Sequence, residues 1–196
     1  MSDLEPLALL SADAGPGLGL PPELRRVYGG DLALPERCVY ANFVQTIDGV
    51  VAIPSVPDSN RLVSGGSEAD RFVMGLLRAA ADVVLIGSGT LRASARGRWR
   101  PDTVFPAAAE AYATLRRELG LDPRPRVAIL TASGSISPDR AVFEDAPLVV
   151  TTNAGAERLA GTLPAGVEEH SRTTTTAWRG VYRDAELRRE FLDLAR

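Results

Sequence analysis

Cysteine and histidine are nearly missing from this chain of 196 residues, which has one of each, Cys38 and His170. A single cysteine cannot close an internal disulfide, and a reducing, cytoplasmic setting fits. One Cys and one His are too few for a Cys/His zinc site, so no metal is expected. A Ser-His-Asp triad would have to use His170, which stands in a polar segment far from any nucleophile motif and reads as a solvated loop residue. Long apolar runs are absent too. None approaches the roughly 18 residues that a membrane span needs, and residues 1–10 are acidic, without the basic start of a signal peptide. Neither sign of charge dominates. With 22 basic and 25 acidic residues the net charge is −3, so bulk electrostatics recruit neither nucleic acid nor an anionic membrane. What is present is ordinary for a globular protein: 45% hydrophobic and 24% charged residues, enough to build a core, at a length that suits one domain.

Residues 1–36 are rich in Pro and Gly and carry no long period. Pro21-Pro22-Glu23 can start a short helix that stops at Gly29-Gly30, and the segment reads as a leader wrapped over a domain that begins at residue 37. Residues 38–44 (CVYANFV) have strand composition and run toward Asp48-Gly49, a strong turn signal, after which 50–53 resume extended structure. Prolines, serines and Gly65-Gly66 make 54–66 a loop. Ser67 then caps a helix, with Asp70 three residues on, and Phe72, Val73, Leu76, Leu77 and Ala80 form one apolar stripe. Residues 83–86 (VVLI) look like a strand buried on both faces. A basic loop over 91–105, a helix opened by Pro106 and closed by Gly120, strands at 126–130 and 148–152, and a short helix over 154–159 follow. This alternation predicts an α/β fold, a mostly parallel sheet flanked by helices. Residues 171–176 (SRTTTT) are low-complexity, and Asp184 caps a last helix over 184–194.

Three stretches carry candidate chemistry. Gly87-Ser88-Gly89-Thr90 follows a strand, where backbone N–H groups at the carboxyl edge of an open α/β sheet meet ligands. Gly-x-Gly-Thr is a weak motif by itself, since most such loops are tight turns. Arg92, Arg96, Arg98 and Arg100 follow it and strengthen the phosphate reading a little, while most of them read as a solvated loop. In residues 42–49 (NFVQTIDG), a regular strand would put Asn42, Val44 and Thr46 on one face. Polar Asn42 and Thr46 in a buried strand must be hydrogen-bonded, by a ligand or by neighbouring backbone. Asp48 beside Gly49 is first of all a turn residue. Ser64-Gly65-Gly66-Ser67 precedes a helix and suits capping, with anion binding a possible addition.

Taken in order, Thr46-Ile47-Asp48-Gly49, a Gly-Gly loop, LRAAAD over 77–82 and VVLIGSGT over 83–90 closely resemble the C-terminal reductase domain of the bifunctional deaminase-reductase of riboflavin biosynthesis. The likeness is greatest to its stand-alone pyrimidine reductase members of actinobacterial type. It covers roughly residues 22–170, with 42–92 the specific part. The resemblance implies a dihydrofolate-reductase-like fold. It also implies NADPH-dependent reduction of the ribose of a 5-amino-6-ribosylamino-pyrimidinedione phosphate to the ribityl chain. The protein would mostly position the partners, because the nicotinamide carries the hard chemistry. By resemblance, Gly87, Ser88, Gly89 and Thr90 face the cofactor. Asn42, Thr46 and Asp48 line the junction with substrate, with Asp48 handling a proton or binding a sugar hydroxyl. Ser64 touches substrate or its phosphate, Thr131 and Ser133 lie along the adenosine-phosphate side, and Arg92 pairs with a phosphate.

The likeness has a limit. The family continues into a strand with a Glu-Gly-Gly loop near the cofactor diphosphate, then a hairpin that completes the sheet and commonly a homodimer. No Glu-Gly-Gly follows residue 150 here, so the expectation is a chain that stops before its last strands. The leading reading is therefore a reductase acting on a phosphoribosyl-like pyrimidine. The second is a truncated remnant of the fold with weak or no nucleotide binding. Among enzymes a dihydrofolate reductase proper is the near relative, disfavoured because the 78–90 block resembles the pyrimidine reductases instead. An interaction protein with no nucleotide site ranks last.

Overall fold

A computed structural model describes residues 4–8, 15–56, 59–94 and 96–172. The chain packs as two compact units. The first takes in the described residues up to Ala81 together with 100–125, and the second takes in 82–99 and 126–172. The helix expected over 184–194 and most of the low-complexity stretch lie outside the described residues.

The first unit is helical. Its elements are α1 (Pro22–Tyr28), α2 (Asn60–Val63) and α3 (Glu68–Ala80). In the second unit α4 spans Ser88–Ala93. The first unit resumes with α5 (Pro101–Val104), a single 3₁₀ turn over Pro106–Ala108, and α6 (Ala109–Glu118). Local signals explain the boundaries. Pro22 sits where a helix start has no N–H partner to lose, and Gly29 closes α1 in the left-handed region at φ 81°. The Ser67 hydroxyl accepts from the Asp70 N–H, a cap that stabilises α3 by about 1 kcal/mol. The apolar stripe of α3 buries Phe72, Leu76 and Ala79 against Tyr112 and Leu115 of α6, Leu24 and Val27 of α1, and Phe105. The segment read as a leader thus supplies Leu20, Leu24, Val27 and Leu32 to this core. Phe72 meets Phe105 edge-on at 5.9 Å, and the Tyr112 hydroxyl donates to the Phe72 carbonyl at 2.7 Å. Gly75 makes that approach possible: a Cβ there would stand 2.6 Å from the Tyr112 oxygen.

Arg116 is the least ordinary member of this core. It is 2% exposed. Its guanidinium donates to the carbonyls of Ala79 at 3.0 Å, Ala81 at 2.7 Å and Asp122 at 2.6 Å, and more distantly to that of Arg78 at 3.5 Å. Those first three acceptors include the end of α3, where carbonyls have no partner within the helix and the macrodipole favours a cation. A side chain that composition alone would place in water instead closes a helix terminus.

Among the described residues the second unit holds four parallel strands in the order β1 (Val83–Gly87), β2 (Arg126–Thr131), β3 (Leu148–Thr152), β4 (Glu168–Arg172). Val83 pairs with Arg126, Ala128 with Leu148, and Leu148 with Glu168. Helices α4 and α7 (Asn153–Leu159) pack on the sheet, and a 3₁₀ turn over Ala141–Asp145 precedes β3. The core gathers Ile86, Leu91, Trp99, Val127, Ile129, Val142, Phe143 and Val149. This is the α/β class expected: a parallel sheet with helices.

Several expectations change. Residues 38–44 are not a strand, and 50–53 do not resume one. A strand exists through its paired neighbour, and among the described residues no strand of the sheet pairs with 38–44. Residues 83–86 are a strand, but among the described residues β1 pairs only with β2, and Val83, Val84 and Leu85 are partly exposed. The strand buried along its whole length is β3. Residues 87–90 are no loop: β1 ends at Gly87 and α4 starts at the next residue, with Gly87 at an unremarkable φ of −85°. The basic loop is likewise broken by α4 and α5. His170 lies in β4 opposite Val150 instead of in a loop. A polar strand such as EEHSR carries no hydrophobic period to announce it.

Candidate functional site

Each unit carries one cluster of the residues singled out above. In the first unit the chain turns at Thr46-Ile47-Asp48-Gly49. The Thr46 N–H donates to the Val50 carbonyl at 3.0 Å and the Gly49 N–H to the Thr46 carbonyl at 2.9 Å. The Thr46 hydroxyl donates to the Asp48 carboxylate and accepts from the Val50 N–H. The Asp-Gly turn signal is thus realised, with Gly49 at φ 87°. Thr46 and Asp48 stand at an open groove of about 530 Å³ whose other walls are apolar, among them Val50, Ile53, Leu62 and Val63. One acceptor-rich polar corner in an otherwise apolar groove can orient a flat, polar-edged molecule.

Two expected partners stand apart from this corner. Asn42 is exposed in an irregular segment, so the buried-strand argument for it does not apply. Ser64 closes α2, donating its hydroxyl to the Arg61 carbonyl at 3.3 Å and accepting from the Gly66 N–H at 3.3 Å. It is next in sequence to Val63 of the groove wall but caps a turn, and Ser67 does the capping of α3.

Sequence reasoning passed over Arg78 in this unit. Burial pulls its guanidinium down to about 10, partly opposed by the attraction of Asp70. The same burial pushes the Asp70 carboxyl up, against the pull of Arg78. The available signal was the single arginine near the end of the α3 apolar stripe.

In the second unit the parallel sheet brings the other candidates to one edge. The register sets Gly87 beside Leu130, Thr131 beside Thr151, and Thr152 beside Arg172, so the carboxyl ends of β1, β2 and β3 lie side by side. Ligands bind at this edge in open α/β sheets. Gly87 is exposed, and a Cβ built there would meet nothing within 4 Å. Ser88, Gly89, Thr90 and Arg92 form α4, with Gly89, Thr90 and Arg92 exposed. An Arg92 guanidinium nitrogen lies 3.9 Å from where a Gly89 Cβ would be, so the cation folds back over the first turn. Arg98 is committed elsewhere, to Glu144 and, at 3.9 Å, Asp145.

Thr131 is 1% exposed and Thr151 fully buried. Both hydroxyls lack a hydrogen-bond partner among the described residues. Ser133 is exposed just beyond β2, its hydroxyl accepting from the Ser135 N–H at 3.3 Å. Thr151, Thr152 and Gly155 at the β3–α7 junction were missed. Their placement beside the 131–135 turn follows from strand pairing, which no local motif encodes.

The second unit is thus of the parallel α/β class, with glycine, hydroxyl and arginine groups gathered at the carboxyl edge where such sheets take ligands. The comparison with known families makes this particular: the chain matches the RibD C-terminal domain over residues 37–182 and belongs to that family. The family implies a reductase role in riboflavin biosynthesis, on a dihydrofolate-reductase-like fold. No curated protein matches the chain. No helix among the described residues is long and apolar enough to cross a membrane.

Proposed function

We propose that this chain is an NADPH-dependent reductase that converts the ribose of a ribosylamino-pyrimidinedione phosphate to the ribityl chain. The observation that carries the cofactor half is the edge of the second unit. Two buried threonine hydroxyls without partners, Thr131 and Thr151, lie one strand apart, beside an exposed Gly87 with open space above it. Buried polar groups left unpaired are costly, and a dinucleotide with its phosphates and ribose hydroxyls matches the chemistry of this edge. Gly87, Ser88, Gly89 and Thr90 would hold the diphosphate side, with Arg92 as counter-charge. Thr131 and Ser133 would hold the adenosine-phosphate side. When bound, NADPH supplies hydride to the C1′ carbon of the opened sugar.

The substrate half rests on the first unit. Asp48, held by Thr46, would accept a hydrogen bond from a sugar hydroxyl or exchange a proton with it. The apolar groove walls would take the ring. Ser64 and Asn42 remain candidates for outer contacts with substrate.

The test is titration of the purified chain with NADPH, with NADH as control, followed by turnover of the pyrimidine substrate. Micromolar, NADPH-selective binding is expected. Asp48→Asn should lower kcat by about 10²-fold, within the range for a lost proton-transfer group, and leave NADPH affinity unchanged. A folded chain that binds no NADPH ends the reductase reading.

A further inference from the structure

The turn after β2 and the first turn of α7 are fastened together by one side chain. The Thr152 hydroxyl donates to the Ala132 carbonyl at 2.7 Å and accepts from the Gly155 N–H at 3.0 Å. Both the donor and an acceptor site of that oxygen are therefore used, in a residue 5% exposed. The two backbones also touch with no room for a methyl group on either side. A Cβ on Gly134, itself at φ 67°, would run into the Gly155 carbonyl oxygen. A Cβ on Gly155 would meet the Thr151 hydroxyl, and would stand 3.1 Å from both the Ala132 carbonyl oxygen and the Gly134 nitrogen. Ser133 is the residue between these two fastenings. Ala132 before it is tied to Thr152, and Gly134 after it is wedged against α7.

We infer that Thr152 is a positioning residue, which fixes the backbone of the turn over 132–134 so that Ser133 is presented to the cofactor in one place. This rests on the reading of Ser133 as a cofactor residue. Thr152 acts through the turn, its hydroxyl being engaged by Ala132 and Gly155. Its contribution is to remove in advance the freedom that an exposed serine turn would otherwise lose on binding. Its effect should therefore fall on cofactor affinity and spare the chemical step.

The experiment compares the full chain with Thr152→Val, which keeps the shape and removes both bonds, and Thr152→Ser, which keeps both. Thr152→Val should weaken NADPH binding about tenfold, as expected for lost hydrogen bonds that order a binding turn. Its kcat at saturating NADPH should stay within about twofold of the parent. Thr152→Ser should restore the affinity, which a general loss of packing would not allow. Ser133→Ala should weaken NADPH binding in the parent and add little in the Thr152→Val background, because a turn that is already loose has less to lose. Thr152→Cys, nearly isosteric with serine and a poor hydrogen-bonding group, gives the same sign with a smaller shift if the valine variant does not fold. A parent that binds NADPH while Thr152→Val binds it equally well overturns the positioning role and leaves the reductase reading standing. So does a loss confined to kcat, or full additivity with Ser133→Ala. A parent that binds no NADPH overturns the reductase reading and this role with it.

Discussion

Replacing Arg116 with methionine tests whether a buried guanidinium, and not helix propensity, closes the end of α3. Methionine keeps the unbranched stem and has a helix propensity close to that of arginine, so the change isolates the charged head. That head makes three short hydrogen bonds, to Ala79, Ala81 and Asp122, at 2.6 to 3.0 Å. Bonds from a charged donor contribute about 1.5–3 kcal/mol each, or roughly 4.5–9 kcal/mol for three. Against this stands the cost of holding a cation out of water, several kcal/mol. The carbonyl of Ala79 is left in a buried place without a donor, and those near Ala81 and Asp122 can partly turn to solvent. The net expectation is a loss of about 3 kcal/mol, a large share of the 5–15 kcal/mol typical of a domain. Urea unfolding followed by far-UV circular dichroism reads this as a lower midpoint at unchanged slope. Arg116→Lys should fall between, because an ammonium cannot reach three divergent carbonyls at once. Arg117→Ala, on the exposed side of the same helix, should change stability by less than about 0.5 kcal/mol. A loss below about 1 kcal/mol for Arg116→Met would refute the reasoning, showing that the carbonyls find other donors and that the cation's desolvation cancels its bonds.

Tyr112 makes a pH prediction. Burial pushes its hydroxyl above the usual tyrosine range, so the folded chain holds this proton more tightly than the unfolded chain does. The stability it supports is complete below about pH 10 and falls by up to about 1.4 kcal/mol per pH unit above it. In Tyr112→Phe that part of the slope should vanish in unfolding measured between pH 9 and 11.5, after a constant loss of about 1 kcal/mol for the bond to Phe72. Gly75→Ala should cost about 1–3 kcal/mol despite alanine's better helix propensity, because its methyl group would collide with the Tyr112 ring. Pairing it with Tyr112→Leu, which opens that space, should recover part of the loss in thermal unfolding.

How much of the site could be read from the chain depends on how local its parts are. The turn at 46–49 was legible because Asp-Gly encodes its own geometry, and the Thr46–Asp48 contact closes within that turn. Asn42 was not, since its expected place depended on a strand that only a paired neighbour could create. The glycine block at 87–90 was recognisable as a family mark, yet its conformation was misread. The helical turn that buries Leu91 begins directly at Ser88, leaving no loop between strand and helix. Arg78 and Arg116 carry the same letter as the twenty other arginines of the chain, and only their surroundings separate them.

Local chemistry determined the elements themselves. Ser67 and Asp70 set the start of α3, Pro22 and Gly29 bound α1, and the aliphatic runs at 126–131 and 148–152 became β2 and β3, because caps, turn residues and periods act within a few positions of one another. The order of family marks from Thr46 to Thr90 identified the reductase family for the same reason, as a pattern along the chain. Everything that depends on register or packing was decided by tertiary structure. That includes the order of the aliphatic strands in the sheet, whether EEHSR pairs at all, and the meeting of Thr131 with Thr151. It also includes the fastening of Ala132 to Thr152 and the enclosure of Arg116. These are contacts between residues 20 or more positions apart, or choices between water and protein around one side chain, and their energies exist only once the partners have been brought together.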